Sequence, residues 1–167
     1  MDLIHGLEIV VSAMLFALPA YIANMTPLIL SRIIRKRRPL DMGRNWVDGK
    51  RIFGDNKSVE GFVAGTFAGL IVGLFLGCPF RGLLMGLGAM TGDALGSFIK
   101  RRLDIAQGEH APLLDQYLFI FVALLFSYLA GCVTTSDRLV VILIATPVLH
   151  VSSNYIAYLL KIRQKPL

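Results

Sequence analysis

The fold is decided by residues 61–102, which read GFVAGTFAGLIVGLFLGCPFRGLLMGLGAMTGDALGSFIKRR. Two apolar runs in this stretch flank the segment Cys78 to Arg81, which is short enough only for an antiparallel helical hairpin. Small residues spaced four apart let two helices approach closely within a membrane. Glycines have this spacing in both runs, namely Gly61, Gly65, Gly69, Gly73 and Gly77, then Gly82 and Gly86, and then Gly88, Gly92 and Gly96. The stretch therefore predicts a tightly packed pair of membrane-spanning helices.

The composition of the whole chain is that of an integral membrane protein. Of its 167 residues, 55% are hydrophobic and only 17% are charged, whereas about a quarter are charged in a typical soluble domain. Apolar runs that could cross about 30 Å of hydrocarbon occur at about residues 7–30, 61–77, 83–99, 117–132 and 139–160. We therefore expect an all-α membrane protein, a single polytopic domain of five transmembrane helices with charged loops at about residues 32–60 and 100–116.

Positive charge is concentrated on one side of the predicted bundle. Of the 17 Lys and Arg residues, only Arg81 and Arg138 lie outside the two long loops and the C-terminal tail. The positive-inside rule then predicts a multi-pass protein of the cell membrane, with both loops cytoplasmic, the N-terminus outside and the C-terminus inside. The basic run at residues 35–38 is expected to attract anionic headgroups. Nothing in the sequence suggests a nucleic-acid partner.

One face of the third predicted helix carries a candidate catalytic site. Asp93, Ser97 and Lys100 are spaced i, i+4 and i+7, so a carboxylate, a hydroxyl and an ammonium group share that face. Ionisable groups in or beside a membrane-spanning helix are costly and are functional candidates by default. Arg101 adjoins this face, and Asp115 lies near the start of the fourth helix. Asp93 and Asp115 form a candidate Mg²⁺ pair, because one or two carboxylates commonly hold this ion together with substrate phosphates.

Each of the two carboxylates also has a simpler interpretation. Asp93 could be neutralised by Lys100 or could face water near a helix end, and Asp115 could cap the N-terminus of the fourth helix. The occurrence of both acids together with Lys100 and Arg101 favours the metal site.

The first charged loop contains a candidate nucleotide-binding segment, DGKRIFGDNKSVE, at residues 48–60. Turns at glycine can expose backbone N–H groups, Lys and Arg can bind phosphate oxygens, and an acid can bind a metal or a sugar. The candidate residues are Asp48, Lys50, Arg51, Asp55, Asn56 and Lys57. The alternative is a solvated loop in which Ser58 caps the second helix.

Other polar residues in the apolar runs leave more than one interpretation open. Asn24 could satisfy a backbone carbonyl freed by Pro27, or it could line a polar cavity. His150 and Asn154, at i and i+4, favour an interhelical hydrogen bond over a catalytic role. The sequence contains no His/Cys cluster of the kind that binds zinc. Its two cysteines both map to the external end and could form a disulfide, but free thiols are favoured.

The two candidate segments together resemble a known enzyme family. The order Gly-Asp-x-x-Gly-Ser-x-x-Lys-Arg at residues 92–101, followed by Pro-x-x-Asp-Gln at 112–116, resembles the C-terminal signature of CTP-dependent phosphatidate cytidylyltransferases. The short chain and its DGKRIFGDNKS loop look still closer to the CDP-archaeol synthases. The resemblance implies that Asp93 and Asp115 hold Mg²⁺, that Lys100 and Arg101 contact phosphates beside the Ser97 hydroxyl, and that the first loop forms the CTP side of the pocket.

The reaction implied by the resemblance is a nucleotidyl transfer. The phosphate of an isoprenoid glycerol-ether lipid attacks the α-phosphorus of CTP, and pyrophosphate leaves. A phosphate monoester needs no strong base for this step, only charge neutralisation and in-line positioning. The alternatives are a CDP-diacylglycerol synthase acting on ester lipids, a CTP-dependent polyprenol kinase, which would release CDP, and a non-enzymatic lipid-binding scaffold.

Overall fold

A computed structural model describes residues 3–109 and 111–161 of the chain. Its five helices are α1 (Leu3–Ile33), α2 (Val59–Phe75), α3 (Pro79–Arg102), α4 (Pro112–Leu129) and α5 (Ser136–Leu159). Within the described ranges there is no β-strand, only two isolated bridges in the first charged loop. The prediction of an all-α fold with five helices is confirmed.

The helices differ in how well their lengths match a membrane. Four of them, α1, α3, α4 and α5, are long and apolar enough to cross one. The remaining helix, α2, has 17 residues and so a length of about 26 Å, close to the lower limit for a spanning helix. As the sequence suggested, Ser58 caps its start, where the Oγ atom accepts a hydrogen bond from the Gly61 N–H at 3.1 Å.

Helices α3 and α4 both extend into the predicted second charged loop of residues 100–116, so that its non-helical part is residues 103–111. Lys100, Arg101 and Arg102 form the last turn of α3, where cations interact favourably with the helix dipole. Asp115 lies in the first turn of α4, which begins at Pro112 because proline is well tolerated at a first helical position. The ends of α3 and α4 therefore carry Lys100, Arg101 and Asp115 of the candidate site.

The helical hairpin of α2 and α3 packs backbone to backbone, as the glycine spacing predicted. A Cβ atom at Gly69 would lie 2.6 Å from the Cα of Gly86, and one at Gly73 would lie 2.7 Å from the Cα of Gly82. Real Cβ atoms do not approach so closely, so the distance between the helices requires glycine at these positions. The short connection between the helices contains Cys78, a free thiol as expected.

The third helix packs in the same way against α4 and so occupies the centre of the bundle. A Cβ atom at Gly92 would lie 2.7 Å from the Cα of Phe119. The first helix also contacts α3, whereas α5, within the described part of the chain, contacts only α1 and α4. A hydrogen bond of 2.8 Å between the side-chain oxygens of Tyr21 and Thr146 joins α1 to α5.

The first charged loop folds around Asp41, whose side chain is fully buried. One carboxylate oxygen accepts hydrogen bonds from Arg51 Nη2 and the Gly43 N–H, and the other accepts from the N–H groups of Phe53 and Gly54. Burial by itself would raise the pKa of Asp41. The hydrogen bonds from Arg51 and from the three backbone N–H groups outweigh burial and hold this pKa well below its usual range.

Ion pairs attach the first loop to the last residue of α3 and to Asp104, two residues beyond it. Lys50 Nζ lies 2.5 Å from Asp104 Oδ1, and Arg102 Nε lies 2.6 Å from Asp48 Oδ2. Arg102 also donates a hydrogen bond of 2.7 Å to the backbone carbonyl of Arg51. The two contacts of Arg102, which are the less exposed ones, fix the loop beside the helix end that carries Lys100 and Arg101.

Substituting alanine for Gly69 should force α2 and α3 apart, because the added methyl group meets backbone that cannot move aside. We expect a loss of about 1 to 3 kcal/mol in stability, measured by thermal unfolding in detergent. Gly96→Ala is the matched control, since its Cβ would lie 3.7 Å from the nearest atom. Equal melting temperatures for the two variants would contradict the packing described above.

Asp41→Asn should destabilise the protein at neutral pH by about 1 to 3 kcal/mol, because it removes a buried charge partner of Arg51. The pKa of Asp41 is lower in the folded protein than in the unfolded chain. Its ionised form therefore stabilises the fold above the unfolded pKa of about 4, and this contribution is lost as the pH falls below that value.

Melting temperatures of wild type and Asp41→Asn, measured in detergent, should therefore differ at neutral pH and converge on acidification. Asp104→Asn is the control, because its ion pair with Lys50 is largely exposed and is expected to contribute little. A wild-type advantage over Asp41→Asn that persisted unchanged into acid would show that the carboxylate charge is not what stabilises the loop.

Candidate active site

A cavity of about 330 Å³ opens at the charged end of the bundle. It is lined by parts of α1, α3, α4 and α5 and by both charged loops. The predicted site residues that line it are Asn56, Lys57, Asp93, Ser97, Lys100, Arg101 and Asp115. The first loop and the ends of α3 and α4 are thus brought together around one space, although they are far apart in sequence.

Two Lys–Asp ion pairs form part of the cavity wall. Lys57 Nζ, from the first loop, lies 2.5 Å from Asp93 Oδ2, and Lys100 Nζ lies 2.8 Å from Asp115 Oδ1. Each pair is only partly exposed. In the simpler sequence interpretation Lys100 neutralises Asp93, whereas here Lys57 is the ion-pair partner of Asp93 and Lys100 that of Asp115. One pair therefore couples the first loop to α3, and the other couples α3 to α4.

Asp115 has a second role at the start of α4. Its Oδ2 atom accepts a hydrogen bond of 3.0 Å from the Ala111 N–H, so this carboxylate helps to cap the helix from within its first turn. The simpler interpretation placed Asp115 itself at the N-cap, but Ala111 occupies that position. Lys100 in turn donates to the backbone carbonyl of Glu109 at 3.1 Å. The Asp115 side chain therefore belongs both to the cap of α4 and to the cavity wall. Lys100 donates to two acceptors, the Asp115 carboxylate and the Glu109 carbonyl.

Arg101 contributes a further cation to the cavity lining. Its Nε atom is buried and, within the described part of the chain, has no hydrogen-bond partner. Buried donors without partners are rare and costly in folded proteins. A guanidinium group in this condition beside a polar cavity is suited to binding a phosphate oxygen, which is among its strongest partners.

The oxygen atoms around the cavity fit a hard divalent cation that is also bound by phosphates. Asp93 and Asp115 supply carboxylates, and Ser97 supplies a hydroxyl group. Among the residues that the structure describes, no cluster of three or more His, Cys, Asp or Glu side chains could hold a metal ion. Nevertheless, proteins commonly bind Mg²⁺ through only two carboxylates, and water and nucleotide phosphates then supply its other ligands.

Four of the predicted nucleotide-binding residues, Asp48, Lys50, Arg51 and Asp55, do not line the cavity. Arg51 Nη2 lies 2.8 Å from Asp55 Oδ1 and also pairs with Asp41. Asp48 and Lys50 are engaged with the end of α3 and the start of the second loop. In this structure these four residues shape the loop that presents Asn56 and Lys57, and their contact with a nucleotide stays a prediction.

Several cavity residues were missed or left open at the level of sequence. Arg37 lines the cavity, but nothing in the sequence distinguishes it from the other basic residues at positions 35–38. Asn24, His150 and Asn154 also line it. His150 Nδ1 and Asn154 Nδ2 lie 3.3 Å apart within α5, so these two residues contact each other. In the sequence, the i, i+4 spacing of these two polar residues in an apolar helix was the signal that could have indicated a place in the cavity wall.

Comparison with known proteins gives one consistent family. A family model described as CarS-like, CDP-archaeol synthase, matches residues 6–167. A CDP-archaeol synthase from Thermofilum pendens is 40% identical over 165 residues, covering 94% of this chain and 81% of that protein. The relative from Methanopyrus kandleri is 43% identical over 159 residues, covering 90% of each chain.

A solved structure extends the likeness to three dimensions. It is described as "Structural insight into an intramembrane enzyme for archaeal membrane lipids biosynthesis", and it matches with a TM-score of 0.74 at 40% identity, covering 87% of this chain and 94% of that one. Together with the apolar helices, this match identifies the protein as a multi-pass membrane protein. With a family model over nearly its whole length and relatives near 40% identity, the chain belongs to the CDP-archaeol synthase family.

Proposed function

We propose that the protein transfers the cytidylyl group of CTP to the phosphate of an isoprenoid glycerol-ether lipid and releases pyrophosphate. The observation that carries this proposal is the cavity at the charged end of an apolar bundle, where two carboxylates lie among cations. The cations are Arg37, Lys57, Lys100 and Arg101. The named activity of the relatives, which align over most of their length, supports the same reaction.

The chemistry demands mainly the neutralisation and alignment of anions. An oxygen of the lipid phosphate attacks the α-phosphorus of CTP, a new P–O bond forms, and the bond from the α-phosphorus to the bridging oxygen of pyrophosphate breaks. Lys57, Lys100 and Arg101 are placed to donate to phosphate oxygens and to offset the charge that develops on the leaving group. Because the attacking phosphate is already anionic near neutral pH, no general base is required.

We assign the Mg²⁺ site of this reaction to Asp93 and Asp115, with Ser97 beside them. When bound, the ion would supply charge neutralisation and a template for the phosphates. The pairing of each carboxylate with a lysine supports this assignment, because each pair brings an oxygen ligand and a phosphate-binding cation to the same wall.

The two substrates are assigned to different sides of the cavity. We assign the nucleotide to the side of the first loop, because Asn56 and Lys57 of that loop line the cavity. Arg37, His150 and Asn154 lie where α1 and α5 border the cavity, and we place the lipid phosphate there because these helices are otherwise apolar. The Lys/Arg asymmetry supports a cytoplasmic position for both loops.

The proposal is tested by turnover in detergent with CTP, Mg²⁺ and a panel of ether-linked and ester-linked lipid phosphates. We expect equal amounts of pyrophosphate and lipid-linked cytidine, with ether-linked isoprenoid substrates preferred. Release of CDP in place of pyrophosphate would identify a kinase, and preference for ester lipids a CDP-diacylglycerol synthase. Absence of turnover in folded protein with every lipid would favour a non-enzymatic scaffold.

Asp93→Asn and Asp115→Asn should each nearly abolish cytidylyl transfer, and the double variant should be little worse than either single one. Residues that act as one unit are strongly non-additive, and both carboxylates are assigned to one ion. The measurement is pyrophosphate release against Mg²⁺ concentration for the three variants. Asp104→Asn is the matched control, since it removes a charge from the same end of the bundle but outside the cavity.

Near-normal turnover by either single variant at ordinary Mg²⁺ concentration would remove that carboxylate from the metal site. For Asp115 it would leave the helix cap and the ion pair with Lys100 as its role. If Asp104→Asn also lost activity, turnover would depend on negative charge anywhere at this end of the bundle and not specifically on the two carboxylates of the cavity.

A further inference from the structure

The tip of the first charged loop presents large apolar side chains to its surroundings. The loop tip, defined here as Met42, Trp46 and Val47, has exposed fractions of 59%, 48% and 93%. The backbone holds it in place: the Trp46 N–H donates to the Lys50 carbonyl at 2.8 Å, and the Gly49 N–H donates to the Trp46 carbonyl at 3.0 Å. A defined turn therefore exposes Trp46 and Val47, and Met42 lies in the preceding turn, where its N–H donates to the Pro39 carbonyl at 3.0 Å.

Contacts with α3 fix the level of the loop tip along the bundle. The Trp46 ring packs edge-on against Phe98, with ring centroids 5.5 Å apart, and the Arg102 guanidinium lies 4.5 Å from the Phe98 centroid. Phe98 is one turn before α3 ends at Arg102. The loop tip is thus level with the point at which the apolar part of α3 gives way to its basic last turn.

The same contacts place the loop tip on the outside of the bundle. Leu95 lies three residues before Phe98, on the same side of α3, and is 42% exposed although it belongs to the apolar span. That side of α3 therefore presents an exposed apolar surface, as a lipid-facing side would. Arg44, close to Trp46 in sequence, is exposed and forms no ion pair with any residue the structure describes.

We propose that the loop tip inserts into the headgroup region of the surrounding bilayer, with Arg44 directed to lipid phosphates. Tryptophan with neighbouring apolar side chains and a free cation suits a boundary that is apolar on one side and anionic on the other. The bilayer is favoured over a protein partner because the loop tip already lies at the edge of a membrane-spanning bundle. Insertion would hold the first loop, and with it Lys57, at the membrane surface.

Trp46 is the one tryptophan of the chain, so its fluorescence reports directly on the loop tip. The experiment uses wild-type protein in vesicles of zwitterionic and anionic phospholipids brominated either near the headgroup end or near the terminus of the acyl chain. We expect blue-shifted emission, strongest quenching by bromine near the headgroup end and weak quenching by aqueous iodide. Neither CTP nor a substrate lipid phosphate is present, so the outcome is independent of the proposed reaction.

Two variants calibrate the measurement. Phe67→Trp in a Trp46→Phe background puts the reporter on an exposed side of α2 within the apolar span, and bromine near the chain terminus should quench it best. Val47→Asp should weaken bromolipid quenching of Trp46 and increase iodide quenching, because a charge opposes insertion.

Two outcomes would overturn the proposal. Efficient iodide quenching of wild-type Trp46 without bromolipid quenching would mean that the loop tip lies in water. Emission protected from both quenchers, and becoming accessible to iodide as the protein is diluted into excess lipid, would mean that a second copy of the chain covers the tip.

Discussion

The charged end of the molecule depends on direct backbone contact of α3 with α2 and with α4. Gly69 and Gly73 face Gly82 and Gly86 across the hairpin of α2 and α3, and Gly92 meets α4. Because no side chain separates the helices at these glycines, the last turn of α3 and the first turn of α4 lie side by side. Charges that would be costly in isolation inside a membrane can then satisfy one another.

The ion pairs of the cavity follow from that arrangement and from the fold of the first loop. Lys57 reaches Asp93 only because the loop is closed around buried Asp41 and attached to the end of α3. Lys100 reaches Asp115 because both residues belong to helix ends that meet. A polar site therefore sits at the end of an apolar bundle without an uncompensated carboxylate at Asp93 or Asp115.

Much of the fold could be read from the sequence, because apolar runs, glycine spacing and the Ser58 cap are local signals. The shared face of Asp93, Ser97 and Lys100 was also predictable from helical periodicity. The partners of Asp93 and Lys100 were not, because they come from segments distant in sequence. Asp41 was missed for a related reason: its importance lies in hydrogen bonds from positions up to 13 residues away. The helical conformation of Lys100, Arg101 and Arg102 could not be predicted, because basic residues at a helix end look the same in sequence as loop residues.

Each carboxylate of the cavity is paired with a lysine, and this pairing has a thermodynamic consequence for the binding of the proposed nucleotide and metal ion. A nucleotide arriving without a metal finds Lys57 and Lys100 already engaged by acids, and a metal arriving alone finds both acids engaged by lysines. Either ligand alone must break ion pairs without replacing both partners. A nucleotide and a cation that bind together replace both, so binding of each should strengthen binding of the other, and by linkage the enhancement must be reciprocal. The cavity would thus favour the metal–nucleotide complex over its separate components.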